Sequence, residues 1–138
     1  MSGIDAARVL TSSEIKVLSD NCLSNDNRDL YKRIKEMKTG KISLYQAAAK
    51  QGSISNEVAE GIIGVLSTDV KICDELIITD FGSQSSVDKA LVTIKSIVKN
   101  SPQPSHQIEY IQSLSDNDAS MEMFYGDVIR ELQSMIRG

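Results

Sequence analysis

Residues 86–99 read SVDKALVTIKSIVK and place apolar side chains at intervals of three and four. A helix has about 3.6 residues per turn, so these intervals bring the apolar side chains to one face. The apolar positions on this face are Val87, Ala90, Leu91, Ile94, Ile97 and Val98. The lysines of the stretch fall on other faces. The pattern therefore predicts an amphipathic helix.

The same spacing recurs over most of the chain. It predicts further helices at 11–22, 26–38, 44–51, 56–66, 105–114 and 119–136. Gly40 and Gly52 are expected to end the helices before them, and Ser55 or Asn56 to begin the next. Residues 70–78, VKICDELII, suit a helix or a strand, and we favour a helix because no second strand is evident for pairing. The sequence thus predicts an all-α protein, a compact orthogonal bundle of about six or seven short helices.

The length of 138 residues suits a single domain. We expect a flexible N-terminal arm at 1–10 and one helical domain at 11–138. Two prolines make residues 100–105 a candidate hinge. No segment approaches the roughly 18 consecutive apolar residues of a membrane span, and the N-terminus lacks a secretory pattern. Two cysteines without a spacing pattern favour a reducing compartment, the cytoplasm of a bacterium or a host cell.

Charge is distributed unevenly. The chain carries a net charge of −4, yet residues 28–50 hold seven basic and two acidic residues, whereas 51–138 hold six basic and thirteen acidic ones. The basic residues of the first segment are Arg28, Lys32, Arg33, Lys35, Lys38, Lys41 and Lys50. Helical spacing places Arg28, Lys32 and Lys35 opposite the apolar stripe of their helix. We expect the seven residues to form the surface that binds a protein partner or nucleic acid.

A calcium loop is one candidate metal site. The residues that match EF-hand ligand positions are Asp116, Asp118, Ser120, Glu122 and Asp127. Met121 stands where the sharp turn of that loop requires glycine. A helix N-terminus capped by Asp116 or Asp118 explains the segment better, so we predict no metal and no cofactor.

A DNA-binding helix-turn-helix is a second candidate. Ala48, Gly52 and Val58 have the required spacing, but the motif needs an apolar residue where Gly61 stands. Acidic side chains on the second helix would also repel phosphate. Two ordinary packed helices account for the same residues.

Catalytic patterns are weaker still. A nucleophilic enzyme would pair Cys22 or Cys73 with His106, but both cysteines lie on apolar faces, where a thiol is structural and unreactive. The triplet at 80–82, Asp-Phe-Gly, lacks the other kinase motifs. We therefore predict no enzymatic activity.

These observations favour a non-enzymatic helical interaction or regulatory module. Its partner is expected to be an acidic or amphipathic protein that docks on helix faces. The alternative is a nucleic-acid-binding regulator of transcription or replication, of viral or phage origin among others, that uses residues 28–50. Self-association is a further open alternative.

Overall fold

The structure is a computed structural model that describes residues 13, 20–101, 110, 112 and 114–137. In this part of the chain there are four α-helices and no strand. The helices are α1 (Arg28–Lys50), α2 (Asn56–Ile78), α3 (Gln84–Lys99) and α4 (Asp116–Arg137). The predicted all-α class is confirmed, and residues 70–78 are helical. The prediction of six or seven short helices is wrong for these residues, because two pairs of predicted helices are each one long helix.

Several predicted segments lie wholly or partly outside the described residues. The expected arm at 1–10 lies outside the described residues, as do most of 11–22 and 105–114. Of the candidate hinge at 100–105, only the first two positions are described, and the second of these is Ser101.

Gly52, and not Gly40, ends α1. Gly52 has φ of +79°, the left-handed conformation that glycine adopts without a steric penalty. Its N–H donates to the carbonyl of Ala49 at 3.1 Å, and the N–H of Ser53 donates to the carbonyl of Ala48 at 2.9 Å. These two bonds form a Schellman motif. Gly40 remains helical within α1, since a glycine inside a helix costs only about 1 kcal/mol.

A charged residue in the buried stripe of α2 explains why the sequence suggested two helices there. The buried side chains are Ala59, Ile62, Leu66, Ile72, Cys73 and Leu76. Asp69 falls between the two groups at helical spacing, so its charge interrupts the apolar pattern but not the helix. The predicted start is confirmed, because the Ser55 hydroxyl accepts a hydrogen bond from the Val58 N–H at 3.1 Å.

The helix α1 runs antiparallel to both α2 and α4. Near its N-terminus Arg28 reaches the last turn of α2, and farther along Lys38 pairs with Asp69. Lys41 lies 3.9 Å from Asp118 at the start of α4. As the residue number rises along α1, it falls along each neighbour. The first two helices therefore form an antiparallel hairpin, not an orthogonal pair.

Two hydrophobic clusters form the core. The larger one includes Tyr31, Ile34, Ile72, Leu76, Val87, Leu91, Ile94, Phe124, Val128 and Leu132. The smaller one comprises Ile62, Leu66, Tyr110, Leu114 and Ala119. Along α2 the partly buried Asp69 lies between the members of the two clusters. None of the described helices combines the length and apolar composition needed to cross a membrane.

Candidate functional site

Three charged side chains, one each from α1, α2 and α4, meet in a largely buried layer formed by Lys38, Asp69 and Glu122. The Lys38 side chain is 0% exposed. Its ammonium donates hydrogen bonds to Asp69 Oδ2 at 2.9 Å and to Glu122 Oε2. One residue from each of three helices thus contributes to a single ionic network, which we call the charged layer.

Two tyrosines donate further hydrogen bonds to the charged layer. Tyr110 Oη donates to Glu122 Oε2 at 3.1 Å, and Tyr125 Oη donates to Asp69 Oδ1 at 3.1 Å. The Lys38 ammonium lies 5.5 Å from the ring centroid of Tyr110 and 4.6 Å from that of Tyr125. At these distances the rings stabilise the cation through their π-electrons.

Burial and charge act in opposite directions in this layer. Burial disfavours the Lys38 ammonium, but the attraction of Glu122 and Asp69 outweighs it and raises the lysine pKa. Burial raises the pKa of Asp69, against the opposing effect of Lys38. The ammonium therefore stays protonated, with its donors directed at two carboxylates, and cannot act as a nucleophilic amine.

Lys38 was expected on the exposed basic surface, and the charged layer was not foreseen. A signal for it exists in the sequence. Lys38 follows Ile34 by four positions, Asp69 follows Leu66 by three, and Glu122 follows Ala119 by three, so each continues a buried stripe. One basic and two acidic residues in such stripes indicate a buried ionic network.

The other predicted basic residues have different environments. Arg28 donates to the carbonyls of Ile77 at 2.7 Å and Thr79 at 3.2 Å, so it caps the C-terminal end of α2. Lys35 pairs with Asp74 at 2.6 Å on the surface. The predicted residues that are exposed and form no ion pair within the described chain are Lys32, Arg33 and Lys50.

A groove of about 730 Å³ lies between α1 and α2 near the N-terminal end of α1. Its lining residues are Lys32, Lys35, Glu36, Thr39, Asp74, Glu75, Ile77 and Ile78. Ile78 is 74% exposed, the most exposed large hydrophobic side chain among the described residues. The groove therefore combines an apolar end with charges of both signs, and we call it the α1/α2 groove.

The geometry differs from that of a DNA-binding helix-turn-helix. The two helices of that motif cross at about 90–120°, whereas α1 and α2 run antiparallel along their length. The small residues near Gly52 belong to the turn of this hairpin.

The candidate calcium ligands lie in a continuous helix. Residues 116–127 belong to α4, whereas an EF-hand requires a loop over the same span. Ser115 caps this helix, because its hydroxyl accepts from the Asp118 N–H at 3.3 Å, in place of the expected Asp116 or Asp118. In the described part of the chain no group of three or more His, Cys, Asp or Glu side chains could hold a metal ion.

The remaining catalytic candidates also have structural roles. Residues 80–82 form a turn in which the Phe81 N–H donates to Asn25 Oδ1 at 2.9 Å, and the Phe81 ring packs 6.3 Å from that of Tyr31. His106 lies outside the described residues. Cys22 donates from Sγ to Glu131 Oε2 at 2.5 Å.

Both thiols are expected to label slowly in the native protein. Cys22 and Cys73 are fully buried, and burial raises the pKa of each to about 12 from 9.0. A rise of three units in the pKa lowers the thiolate fraction at neutral pH about a thousandfold. A chromogenic disulfide reagent should therefore react fully only after urea is added, and the variants Cys22→Ala and Cys73→Ala assign each phase. Fast native labelling of either thiol would contradict this assignment.

Comparison with protein-family models, with curated proteins and with solved structures finds no match to this chain. The functional argument therefore rests on its own side chains and their geometry.

Proposed function

We propose that this chain is a non-enzymatic helical interaction module that docks an amphipathic protein segment in the α1/α2 groove. The observation that carries the proposal is the exposure of Ile78 beside Ile77 at the apolar end of that groove. Charged side chains border it along the helices. This combination suits a helix with one apolar and one polar face.

Burial of Ile78 supplies the affinity in this proposal. Fully burying an isoleucine side chain contributes about 1.5–3 kcal/mol. At 74% exposure, Ile78 retains most of that contribution for a partner. Lys32 pairs with no acid in the described chain, so it is available to a carboxylate of the same partner and would favour one orientation.

The charges of the groove favour a protein over nucleic acid. Glu36, Asp74 and Glu75 line it together with Lys32 and Lys35, so a phosphate backbone would meet repulsion as well as attraction. A protein segment can place both signs of charge to match. Nucleic acid remains the alternative partner for the exposed basic side chains outside the groove. A second copy of this chain is one protein partner to be tested.

The state of the reactive groups supports a non-enzymatic role. The Lys38 ammonium is held by two carboxylates, and the pKa of each thiol is raised by burial. Cys22 and Cys73 are free and buried separately, which fits the reducing cytoplasm that we propose as its location.

Capture from the native source, with and without nuclease, tests the class of partner. The recovered partner is then purified, and its affinity is measured by calorimetry for the parent, Ile78→Ser and Val92→Ser. Val92 is a matched control because it is 72% exposed on α3, away from the groove. We expect Ile78→Ser to weaken binding at least about tenfold, which corresponds to about 1.4 kcal/mol, and Val92→Ser to leave it unchanged.

A second pair of variants tests the contribution of the Lys32 charge to binding. Lys32→Glu should weaken the same complex mainly at low salt, whereas Lys89→Glu on α3 should not. Loss of the complex on nuclease treatment would favour the nucleic-acid alternative. Equal affinity for the parent and Ile78→Ser would exclude the α1/α2 groove as the docking surface.

A further inference from the structure

A second cavity, of about 360 Å³, lies between α2, α3 and α4. Its apolar wall is formed by Val65, Ile72, Val98 and Ile129. Asp69, Glu122 and Tyr125 of the charged layer line it as well. Pockets that bind small molecules have volumes of about 300–1,000 Å³ and combine apolar walls with a few polar groups. The cavity is separate from the α1/α2 groove and meets both criteria.

The charged layer gives the cavity a net negative charge. Two carboxylates share one ammonium, and Lys38 itself does not line the cavity. Glu122 Oε2 accepts hydrogen bonds from Lys38 and Tyr110, and the Glu122 side chain is 19% exposed. A partly exposed carboxylate therefore lies in the wall of a cavity that also has an apolar side. A cationic donor would satisfy both its charge and its hydrogen bonding.

Gly126 is an independent sign that this space is kept open. It lies within α4, one turn after Glu122, and it lines the cavity. Glycine weakens a helix interior relative to alanine, so a packing reason is expected for it. Yet a Cβ at this position would meet only Arg130 Nη1, at 3.7 Å, an ordinary van der Waals distance. No close neighbour requires the glycine, and because the residue lines the cavity we expect a long side chain at this position to take up cavity volume.

We propose that this cavity binds a small organic cation, a protonated amine on an apolar body. Its ammonium donates to Glu122 Oε1 and lies near Asp69, and its body packs against Ile72 and Ile129. An anion of the same shape would be repelled by the net negative charge. A neutral molecule of the same shape could donate at most an uncharged hydrogen bond and would leave the negative charge without a countercharge.

A matched set of three probes tests the proposal: n-hexylammonium, 1-hexanol and hexanoate. Binding to the full chain is followed by NMR of the isoleucine and valine methyl groups. We expect hexylammonium to shift the methyl signals of Ile72, Val98 and Ile129 on saturation. Hexanol should bind at least about tenfold more weakly, and hexanoate should cause no saturable shift.

Variants test separately how the charge and the cavity volume contribute to binding. Glu122→Gln should weaken hexylammonium binding about tenfold and leave hexanol unchanged, since the shape is kept and the charge is lost. Glu60→Gln, an exposed position on α2, is the matched control and should have no effect. Gly126→Leu fills the cavity without removing a stabilising contact. It should abolish binding of all three probes while the melting temperature is kept or raised.

Several results would overturn the proposal. Equal binding of hexylammonium and hexanoate would exclude a cation site. Unchanged hexylammonium binding by Gly126→Leu would place the probe outside this cavity, as would methyl shifts confined to surface residues. If Glu122→Gln lost its structure, Gly126→Leu, which is expected to fold, would still test whether the probe binds in this cavity.

Discussion

Alkaline titration is expected to unfold the protein cooperatively, because buried phenol and thiol groups resist ionisation in the folded state. Burial raises the pKa of Cys22 and Cys73 to about 12 from 9.0. Burial also raises the pKa of Tyr31, Tyr110 and Tyr125 well above the usual 10.0. All five side chains belong to the core, so none can ionise without losing native packing.

The loss of stability with rising pH follows from proton linkage. Each of these groups has a higher pKa folded than unfolded, so its stabilising effect is complete below the unfolded pKa. That effect is lost as the pH rises toward the folded pKa, at about 1.4 kcal/mol per pH unit for each group. The raised pKa of Lys38 acts in the same direction. Five groups together can offset a typical stability of about 5–15 kcal/mol within one or two pH units.

Circular dichroism and tyrosinate absorbance, followed over the same titration, measure this effect. We expect both signals to change together between pH 10.0 and about 12, and the helical signal to return on neutralisation. Tyrosines that all ionise near pH 10.0 while the helical signal persists would contradict the burial of these side chains.

Replacing the buried lysine should give the largest loss of stability from a single substitution. Lys38→Met keeps the apolar stem of the side chain but removes its charged terminal group. Asp69 and Glu122, 15% and 19% exposed, would then remain largely buried without a countercharge. Breaking a buried ion pair in this way costs about 3–5 kcal/mol. Urea unfolding measures the change in the free energy of unfolding.

Lys41→Met is the matched control. Lys41 lies one turn farther along α1, and its pair with Asp118 spans 3.9 Å at a partly exposed position. Such pairs contribute about 0–1 kcal/mol. The triple variant Lys38→Met, Asp69→Asn, Glu122→Gln should recover part of the loss, because it removes the uncompensated charges. Equal losses for Lys38→Met and Lys41→Met would show that the charged layer contributes no more than a surface pair.

Features that depend on local chemistry were predictable from the sequence. The helix at 86–99 is present as α3, because apolar spacing and helical period act within one segment. The Ser55 cap and the Gly52 stop also follow from the properties of single residues. The exposure of Lys32 in the α1/α2 groove agrees with its position opposite the apolar stripe. The exposure of Ile78 was not predictable, since its burial depends on which helix packs against it.

The sequence by itself determined the helical class, the Ser55 cap, the Gly52 stop and most of the apolar faces. Only the tertiary structure decided that Lys38, Asp69 and Glu122 meet, and that the helices continue through the positions where the pattern breaks. The physical reason is that a charge in an apolar stripe is unfavourable alone and becomes acceptable when its partner is buried beside it. The partners of Lys38 lie 31 and 84 positions away along the chain, beyond the range of any local pattern.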